Sequence, residues 1–466
     1  MSGPQIITLG CRLNAAESEA MRMLAGGEDD LVIVNSCAVT NEAVRQTRQA
    51  IRKAKRARPE ARVIVTGCAA QIEPETFAAM PEVARVVGNC EKFDPSSFRR
   101  RPESGGDEAE AYVPEIPAFA GMTDKVRVSD IMAVRETAPH LAAGFAERSR
   151  AFVEVQNGCD HHCTFCIIPF GRGNSRSVPA GLVVERIKAL VDKGLREIVL
   201  TGVDVTSYGP DLPGAPTLGQ LIARILRHVP ELPRLRLSSL DCIEMDERLF
   251  DIACHEPRFM PHLHMSFQAG DDMVLKRMKR RHSRADAIET VARLKAKRPE
   301  IAIGADLIAG FPTESEDMAE NSLRLVDECD IVMGHVFPFS PKRGTPAALM
   351  PQVPPPIAKE RARRLREACA RRKAMWLEGL VGTRQRVLVE KEDRTGHCEN
   401  FAPARIAPSP LMGEGWGGGE ISRPLDGSRR FTPPQPLPIK GRGFIGAIVE
   451  ARIIAVESGI LIGAPL

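Results

Sequence analysis

Three cysteines share one short loop of the sequence. They are Cys159, Cys163 and Cys166, with the spacing C-x3-C-x2-C. Three thiolates this close together can hold three corners of a four-iron cubane, which leaves the fourth iron open to a substrate or cosubstrate. Packing and zinc are the alternatives, because buried cysteines are common and zinc also takes thiolate ligands. No second cysteine pair follows to complete a structural zinc site, so the spacing favours an iron–sulfur cluster.

A second set of three cysteines follows three predicted strands near the N-terminus. Residues 5–9, 31–34 and 62–65 are apolar runs that predict buried strands, with a helix over 42–56. This alternation predicts a parallel sheet, and α/β sheets bind ligands at the carboxyl ends of their strands. The cysteines at these ends are Cys11, Cys37 and Cys68. We expect them to converge on a second cluster, although scattered buried cysteines are the plainer interpretation.

The central part of the chain, from about residue 152 to 373, predicts a partial β/α barrel. The predicted strands are residues 152–156, 197–202, 234–237, 262–266 and 301–308. The cysteine loop follows the first strand, and polar or glycine residues follow the others. Barrel enzymes place their sites at these strand ends. His264 is most simply a core histidine, and Asp306 needs a buried partner, for which a lysine or arginine is the candidate.

Composition limits the class of protein. The 466 residues are enough for two to four domains. No apolar run of about 18 residues predicts a membrane span, and the N-terminus lacks an export signal, so we expect a cytoplasmic protein. Twelve cysteines in such a chain indicate metal ligands or reactive thiols rather than disulfides. The net charge of +4 permits a polyanionic partner without requiring one.

The cysteine loop resembles that of the radical S-adenosylmethionine (SAM) superfamily, and the whole pattern resembles its methylthiotransferase family. The motifs that carry the resemblance are Gly10-Cys11-Arg12-Leu13-Asn14, Asn35-Ser36-Cys37-Ala38-Val39-Thr40, Thr66-Gly67-Cys68, Cys163-Thr164-Phe165-Cys166 and Gly171-Arg172-Gly173. They occur in the expected order over nearly the whole chain. The residues Arg12-Leu13 and Ala38-Val39-Thr40 favour the branch acting on N6-threonylcarbamoyladenosine beside the tRNA anticodon. Branches acting on isopentenyladenosine or on a ribosomal protein are the alternatives.

The resemblance implies two [4Fe–4S] clusters, one on each cysteine set, and two SAM molecules. One SAM yields the radical that activates carbon 2 of adenine, the N-terminal cluster delivers sulfur, and the second SAM supplies the methyl group. The residues implied to bind SAM are Gly202 and Asp204 at its methionine end, Ser238 and Ser239 at its ribose, and Ile308, Gly310 and Phe311 at its adenine. Both glycines could equally be turn residues. A flavodoxin or ferredoxin is the implied reductant, and we expect a monomer.

The C-terminal residues 377–466 predict a small antiparallel β-barrel, similar to the RNA-binding TRAM domain of this family. Seven basic residues against one acidic residue over 361–373 predict a basic helix before it. Such a helix is either a solvated face or a surface that contacts tRNA phosphates. The residues expected to contact RNA are Arg361, Arg363, Arg364, Arg371 and Arg372.

Two segments interrupt these domains. We assign residues 1–94 to the N-terminal α/β domain, 95–124 to a disordered insert, and 125–376 to the barrel with its lead-in. A second insert, 407–442, divides the C-terminal barrel and is dense in glycine and proline. Two rival hypotheses follow: an RNA-binding protein that keeps clusters for structure alone, and an inactive product of an interrupted gene.

Overall fold

A computed structural model describes residues 3–99, 125–134, 149–408 and 444–466. The chain divides into two compact units, Met1–Lys373 and Ala374–Leu466. The finer domain boundaries, including the one at residues 376 and 377, stay predictions. In the described ranges no helix is both long and apolar enough to cross a membrane.

The first unit begins with a parallel sheet of strand order β1-β2-β3-β4-β5. Its strands are β1 (Gln5–Thr8), β2 (Leu31–Ser36), β3 (Arg62–Gly67), β4 (Arg85–Val87) and β5 (Val126–Arg127). Its helices are α1 (Arg12–Leu24), α2 (Asn41–Ala57), α3 (Cys68–Ile72) and α4 (Pro74–Ala78). Every residue of β2 is buried, as its apolar run predicts. The three predicted strands and the helix between β2 and β3 are confirmed.

The packed part of this sheet domain extends beyond its predicted end at residue 94. Phe98 is completely buried in an apolar cluster with Ile33 of β2 and Ile64 of β3. Phe98 therefore packs with the sheet, although it lies in the segment predicted as an insert. The remainder of the predicted insert, residues 100–124, lies outside the described residues.

Six parallel strand positions form the partial barrel that the sequence predicts. The strands of this region are β6 (Arg150–Glu154), β7 (Gln156–Asn157), β8 (Arg176–Ser177), β9 (Glu197–Thr201), β10 (Arg234–Leu237), β11 (Ser239–Leu240), β12 (His262–Gln268), β13 (Ala302–Ala309) and β14 (Ile331–Pro338). One sheet has the order β10-β9-β6 and the other β11-β12-β13-β14, while β7 and β8 form a short antiparallel pair. The chain passes from the first sheet to the second at Ser238, whose N–H still donates to Leu200 O of β9 at 2.9 Å.

Helices surround this barrel and cover its strands. They are α5 (Ile168–Arg172), α6 (Ala180–Asp192), α7 (Leu218–His228), α8 (Glu247–His255), α9 (Asp272–Met278), α10 (Arg284–Lys297), α11 (Glu316–Glu328) and α12 (Pro355–Glu378). Strand β14 was not predicted, because Gly334 and Pro338 interrupt its apolar pattern. The apolar core of the barrel also includes Ala16 of α1, so the N-terminal sheet domain and the barrel share packing.

The second unit contains a closed barrel of strand order β15-β16-β17-β19-β18. Its strands are β15 (Arg384–Val389), β16 (Thr395–His397), β17 (Pro403–Ile406), β18 (Ile448–Glu457) and β19 (Ile460–Pro465). All neighbouring pairs are antiparallel except β17 with β19, which is parallel. The α/β fold class with a small C-terminal barrel is thus confirmed. Most of the predicted insert at 407–442 lies outside the described residues.

Candidate metal centre and active site

The loop of Cys159, Cys163 and Cys166 begins with a glycine that no other residue could replace without strain. Gly158 has φ +75°, and a Cβ there would lie 1.8 Å from Asn174 O. Only glycine adopts this conformation readily and permits so close an approach. Cys159 N–H then donates to Gly173 O at 3.1 Å. The loop is therefore fixed at its start by the backbone that follows α5.

Gln156 connects this loop to the turn after β9. Its Nε2 donates to Gly158 O at 2.7 Å and to Ser175 Oγ at 2.9 Å. Its Oε1 accepts from Val203 N at 3.1 Å and from Asp204 N at 2.8 Å. One buried amide thus sets the distance between the cysteine loop and the residues predicted at the methionine end of SAM.

Asp204 lies beside the first cysteine of the loop. Cys159 Sγ is 3.7 Å from Asp204 Oδ2, which also pairs with His161 Nε2 at 2.8 Å. Hydrogen bonds to Asp204 and Glu244 raise the pKa of His161 to about 10. The structure therefore brings predicted Asp204 and Cys159 together and adds a cationic imidazole that the sequence did not indicate.

A guanidinium group lies beside each cysteine set. Arg280 Nη1 donates to Cys163 Sγ at 3.8 Å. Arg280 Nη2 donates to Asp241 Oδ2 at 2.8 Å and to Ser266 O at 2.9 Å. Arg172 Nε donates to Cys68 Sγ at 3.1 Å. A cluster held by three thiolates is an anion, and each set has one fixed cation against its sulfur atoms.

Cys11, Cys37 and Cys68, the N-terminal set, lie together at the carboxyl ends of β1, β2 and β3. A Cβ on Gly10, directly before Cys11, would lie 2.9 Å from Cys37 Sγ. Burial, together with the charges of Cys68 and Cys11, raises the pKa of Cys37 to about 11. The three thiols are thus near enough to affect one another, as the strand-then-cysteine pattern predicts.

A buried ionic network connects the N-terminal set to the barrel. Glu17 of α1, which is fully buried, pairs with Arg172 and, at 2.7 Å, with Lys92. Arg172 Nη2 also donates to Asn14 Oδ1 at 2.5 Å. Although burial raises the pKa of Glu17, Arg172 and Lys92 lower it to about 2. A paired and hydrogen-bonded charge network of this kind tolerates burial, whereas an isolated charge would not.

The two cysteine sets approach each other at α5. A Cβ on Gly171 would lie 3.2 Å from Cys68 Cβ. Burial, together with the charges of Cys163 and of Cys68 from the other set, raises the pKa of Cys166 to about 12. Cys68 is therefore close enough to the loop of Cys159, Cys163 and Cys166 for its charge to be felt there.

These donor sets fit iron–sulfur clusters. Burial raises the pKa of Cys11, Cys37, Cys159 and Cys166. A bound metal would displace thiol protons, because thiolates rather than thiols are the ligands. Each set offers three sulfur donors with a guanidinium beside them. These features are those expected for two clusters with one open iron each.

The residues predicted to contact the ribose and the methionine end of SAM differ in burial and in hydrogen bonding. Ser238 is buried, and its Oγ has no hydrogen-bond partner among the described residues, so a ribose hydroxyl would satisfy it. Ser239 is exposed in β11. Gly202 packs against Gln156, whose carbonyl oxygen would be 2.6 Å from a Cβ there. Packing therefore explains this glycine, and the orphan hydroxyl of Ser238 is the better sign of a ligand.

The predicted adenine contacts lie against the cysteine loop. Phe311 is completely buried and meets Phe165 edge-on, with the ring centroids 6.3 Å apart. Ile308, which is partly buried, belongs to the same apolar cluster. Gly310 allows α12 to approach, since a Cβ there would lie 2.3 Å from Ala358 Cβ. Ile308 thus remains available to a ligand, whereas Phe311 is completely buried and packs against Phe165 of the cysteine loop.

The predicted basic helix forms as α12, but most of its arginines are already paired. Arg361 is buried and bonded to Glu314 O and Glu316, Arg363 pairs with Glu360 and Glu367, Arg364 with Glu316 and Glu320, and Arg372 with Asp330. Arg371 is exposed, and no ion pair is found for it in the described ranges. Arg361 is therefore the least accessible of the five to a phosphate, and RNA contact by this helix stays a prediction.

Asp306 has partners other than the predicted lysine or arginine. His264 Nε2 lies 3.1 Å and His335 Nδ1 3.3 Å from the same oxygen, Asp306 Oδ1. His264 is buried, as predicted. The partners found are therefore two histidines, one on the predicted strand β12 and one on β14, which was not recognised from the sequence.

Several residues that shape the site were not singled out from the sequence. They are Gln156, Arg172, Arg280, Glu17 and Lys92. Arg172 follows Cys166 closely in the chain. A charged residue so near the cysteine loop was the signal in the sequence that could have indicated its role. Glu17 is four residues from Leu13 and Met21 on α1, so its helical position predicted burial for a carboxylate, which requires a partner.

Two family descriptions match the chain. The "Radical SAM superfamily" matches residues 153–326, and "Uncharacterized protein family UPF0004" matches residues 4–88. Membership of the radical SAM superfamily implies a [4Fe–4S] cluster and SAM.

Relatives cover most of the chain. The threonylcarbamoyladenosine tRNA methylthiotransferase MtaB of Rickettsia prowazekii is 49% identical over 413 residues, which are 88% of this chain and 93% of that protein. The protein of the same name from Aquifex aeolicus is 34% identical, over 83% of this chain and 92% of that one. The tRNA-2-methylthio-N(6)-dimethylallyladenosine synthase of Erythrobacter litoralis is 32% identical, over 90% of this chain and 92% of that one. The chain belongs to the radical SAM tRNA methylthiotransferases of the MtaB type.

Proposed function

We propose that this enzyme adds a methylthio group to C2 of N6-threonylcarbamoyladenosine next to the tRNA anticodon, using two [4Fe–4S] clusters and two SAM molecules. The observation that carries the proposal is the pair of three-cysteine sets that approach each other where Gly171 packs against Cys68. A single cluster would support radical formation but would leave the sulfur without a carrier. The identity to the Rickettsia protein supports the substrate.

The two sets have different roles in this proposal. When bound, the cluster of Cys159, Cys163 and Cys166 supplies the electron that cleaves SAM, and the cluster of Cys11, Cys37 and Cys68 supplies sulfur. The chain's own residues orient the reactants and exclude water.

Gln156 and Asp204 hold the SAM side of the site. Gln156 accepts from the N–H groups of Val203 and Asp204 and donates to Gly158 O. It thereby fixes the turn that would receive the methionine end of SAM relative to Cys159. The hydroxyl of Ser238, buried without a partner among the described residues, would receive the ribose. Ile308, beside Phe165, would flank the adenine.

Arg172 and Glu17 hold the sulfur side. Arg172 donates to Cys68 Sγ at 3.1 Å and pairs with Glu17 of α1. Arg172 is the last residue of α5, which follows the loop of Cys159, Cys163 and Cys166. Its pair with Glu17 therefore fixes the position of α1 relative to that loop. A fixed guanidinium also stabilises the negative charge of a thiolate-bound cluster.

The target base must leave the stack of the anticodon loop to reach the barrel, as single-stranded RNA permits. The tRNA partner supplies the phosphates that Arg371 and its neighbours on α12 would contact. A flavodoxin or ferredoxin would deliver the electron.

Anaerobic incubation with SAM, dithionite and matched anticodon stem-loops tests the function. One stem-loop carries N6-threonylcarbamoyladenosine and the other N6-dimethylallyladenosine. We expect 5′-deoxyadenosine and a 2-methylthio product from the first only. Product from the second stem-loop alone would support the dimethylallyl branch, and the absence of 5′-deoxyadenosine would refute a catalytic role. The Cys163→Ala variant is the matched negative control.

A further inference from the structure

Side chains that commonly bind metals meet on three neighbouring strands of the barrel. Strand β13 pairs in parallel with β12 and with β14, and the register places His264 beside Gly304 and Asp306 beside His335. Side chains alternate along a strand, and the residues of β13 between these positions join the apolar core, namely Ile303, Ala305 and Leu307. Asp306 therefore faces the opposite side, the barrel interior, and the two histidines face it as well.

Both imidazoles point at one oxygen atom of the carboxylate. His264 Nε2 lies 3.1 Å and His335 Nδ1 3.3 Å from Asp306 Oδ1. One donor atom of each residue lies within 4.8 Å of the other two. Ligand atoms around a tetrahedral zinc ion, at bond lengths of about 2.0–2.1 Å, are about 3.3 Å apart. These three residues, the His–Asp–His triad, thus have the spacing of ligands around one metal ion.

Packing fixes one imidazole of the triad before any ligand binds. His264 is buried, with 7% of its side chain exposed. A Cβ on Gly304 would lie 2.5 Å from His264 Nδ1, so the absence of a side chain there makes room for the ring. The His264 and His335 rings have centroids 4.6 Å apart and planes tilted by 38°. The triad is therefore built on rigid strands rather than on loops, as a preformed site requires.

The donor atoms indicate which class of ion fits. Two imidazole nitrogens and one carboxylate oxygen suit Zn²⁺ and similar transition-metal ions, whereas Mg²⁺ and Ca²⁺ take oxygen ligands. Among the described residues no lysine or arginine forms an ion pair with Asp306, whose partners are the two histidines. A divalent cation would balance its charge. The alternative is a triad held by hydrogen bonds alone, with one imidazole protonated.

The triad is accessible from one side. His335 lies on β14, an edge strand of its sheet, and 61% of its side chain is exposed. An ion can therefore reach the site without opening the core. Three protein ligands also leave a tetrahedral ion one position for water or another oxygen ligand, which is the arrangement of catalytic rather than structural zinc sites.

We propose that His264, Asp306 and His335 bind a divalent transition-metal ion of the zinc class, separate from the two cysteine sets. His264 contributes Nε2, His335 contributes Nδ1 and Asp306 contributes Oδ1. The inference does not rest on the proposed function, because it concerns residues that neither cysteine set uses.

Zinc binding by the wild-type holoenzyme tests the proposal. The protein, with its clusters loaded, is equilibrated anaerobically with Zn²⁺ at free concentrations set by a chelating buffer, and bound zinc and iron are counted by mass spectrometry. His335→Gln removes one ligand at an exposed position. His255→Gln is the matched control, because His255 pairs with Asp251 at 2.9 Å on the surface of α8 and belongs to no such triad in the described ranges.

We expect the wild type and His255→Gln to bind about one zinc per chain in addition to their iron. Loss of a hydrogen-bond partner of a metal ligand already costs about 10- to 100-fold in affinity, so loss of the ligand itself in His335→Gln should cost about 100-fold or more. X-ray absorption at the zinc edge should show nitrogen and oxygen neighbours at about 2.0–2.2 Å in the wild type. Saturating Zn²⁺ should raise the melting midpoint of the wild type but not that of His335→Gln.

Three results would overturn the proposal. The first is equal zinc affinity of the wild type and His335→Gln at equal iron content, which would mean that hydrogen bonds alone hold the triad. The second is an Asp306→Asn variant, similar in size to the wild type, that keeps the wild-type zinc affinity. The third is a sulfur neighbour of zinc at about 2.3 Å, which would place the ion on cysteines.

Discussion

Replacing Arg172 by methionine should weaken the fold and remove iron from one site only. The change leaves Glu17 fully buried with a single cation, Lys92, at 2.7 Å. Removing one partner of a buried pair costs about 3–5 kcal/mol. Because Lys92 remains, we expect the lower end, about 3 kcal/mol.

This cost can be converted into a melting temperature. At about 2.1 cal/mol/K per residue, the entropy of unfolding of a unit the size of Met1–Lys373 is about 0.8 kcal/mol/K. A loss of about 3 kcal/mol then lowers the midpoint by about 4 °C. Differential scanning calorimetry under anaerobic conditions measures this shift.

The control and the iron count make the test specific. Arg45→Met removes an exposed cation that pairs with Glu42 on α2, and its midpoint should equal that of the wild type. Arg172→Met should also lose the iron held beside Cys68, about half of the total, and still form 5′-deoxyadenosine. Full iron content together with an unchanged midpoint would refute the role given to Arg172.

Three further predictions concern the cysteine loop and its strand. Gly158→Ala should lose the iron of the loop and the formation of 5′-deoxyadenosine, because the new Cβ would lie 1.8 Å from Asn174 O; a variant with wild-type iron would contradict this. Gln156→Leu should raise the KM for SAM by about tenfold or more, since a buried amide with five hydrogen-bond partners is lost, while iron content stays near that of the wild type. Burial and the charge of Glu17 raise the pKa of Glu154 to about 7. Folding raises the pKa of this acid, so it destabilises the fold as the pH rises from the unfolded to the folded pKa. Glu154→Gln lacks this effect, and its free energy of unfolding should therefore gain about 1 kcal/mol relative to the wild type between pH 6 and pH 8. A difference in melting midpoint between the two proteins that does not change with pH would contradict the raised pKa.

Much of the fold could be predicted because its signals are local. Apolar runs defined β2 and β3, and the residues after them defined the cysteine positions. Strand β14 was missed because Gly334 and Pro338 break its pattern, and its pairing with β13 supplies the regularity that its sequence lacks. One of the two partners of Asp306, His335, was missed for the same reason.

The sequence predicted those parts of the site whose residues are close together in the chain. Cys159, Cys163 and Cys166 are near in sequence, so their loop was evident. The network of Glu17, Lys92 and Arg172 joins residues 75 to 155 positions apart, and only the packing of α1 and α5 brings them together. Sequence separation also hid the use of one amide, Gln156, in two parts of the site.

In the proposed mechanism the two cysteine sets hold two clusters with different tasks. Iron content and 5′-deoxyadenosine formation, measured together on wild type, Cys11→Ala and Cys163→Ala, test it most directly. We predict about eight irons in the wild type and about four in each variant, with 5′-deoxyadenosine lost only in Cys163→Ala. A wild type that holds about four irons, or a Cys11→Ala variant that keeps the wild-type iron content, would contradict the claim.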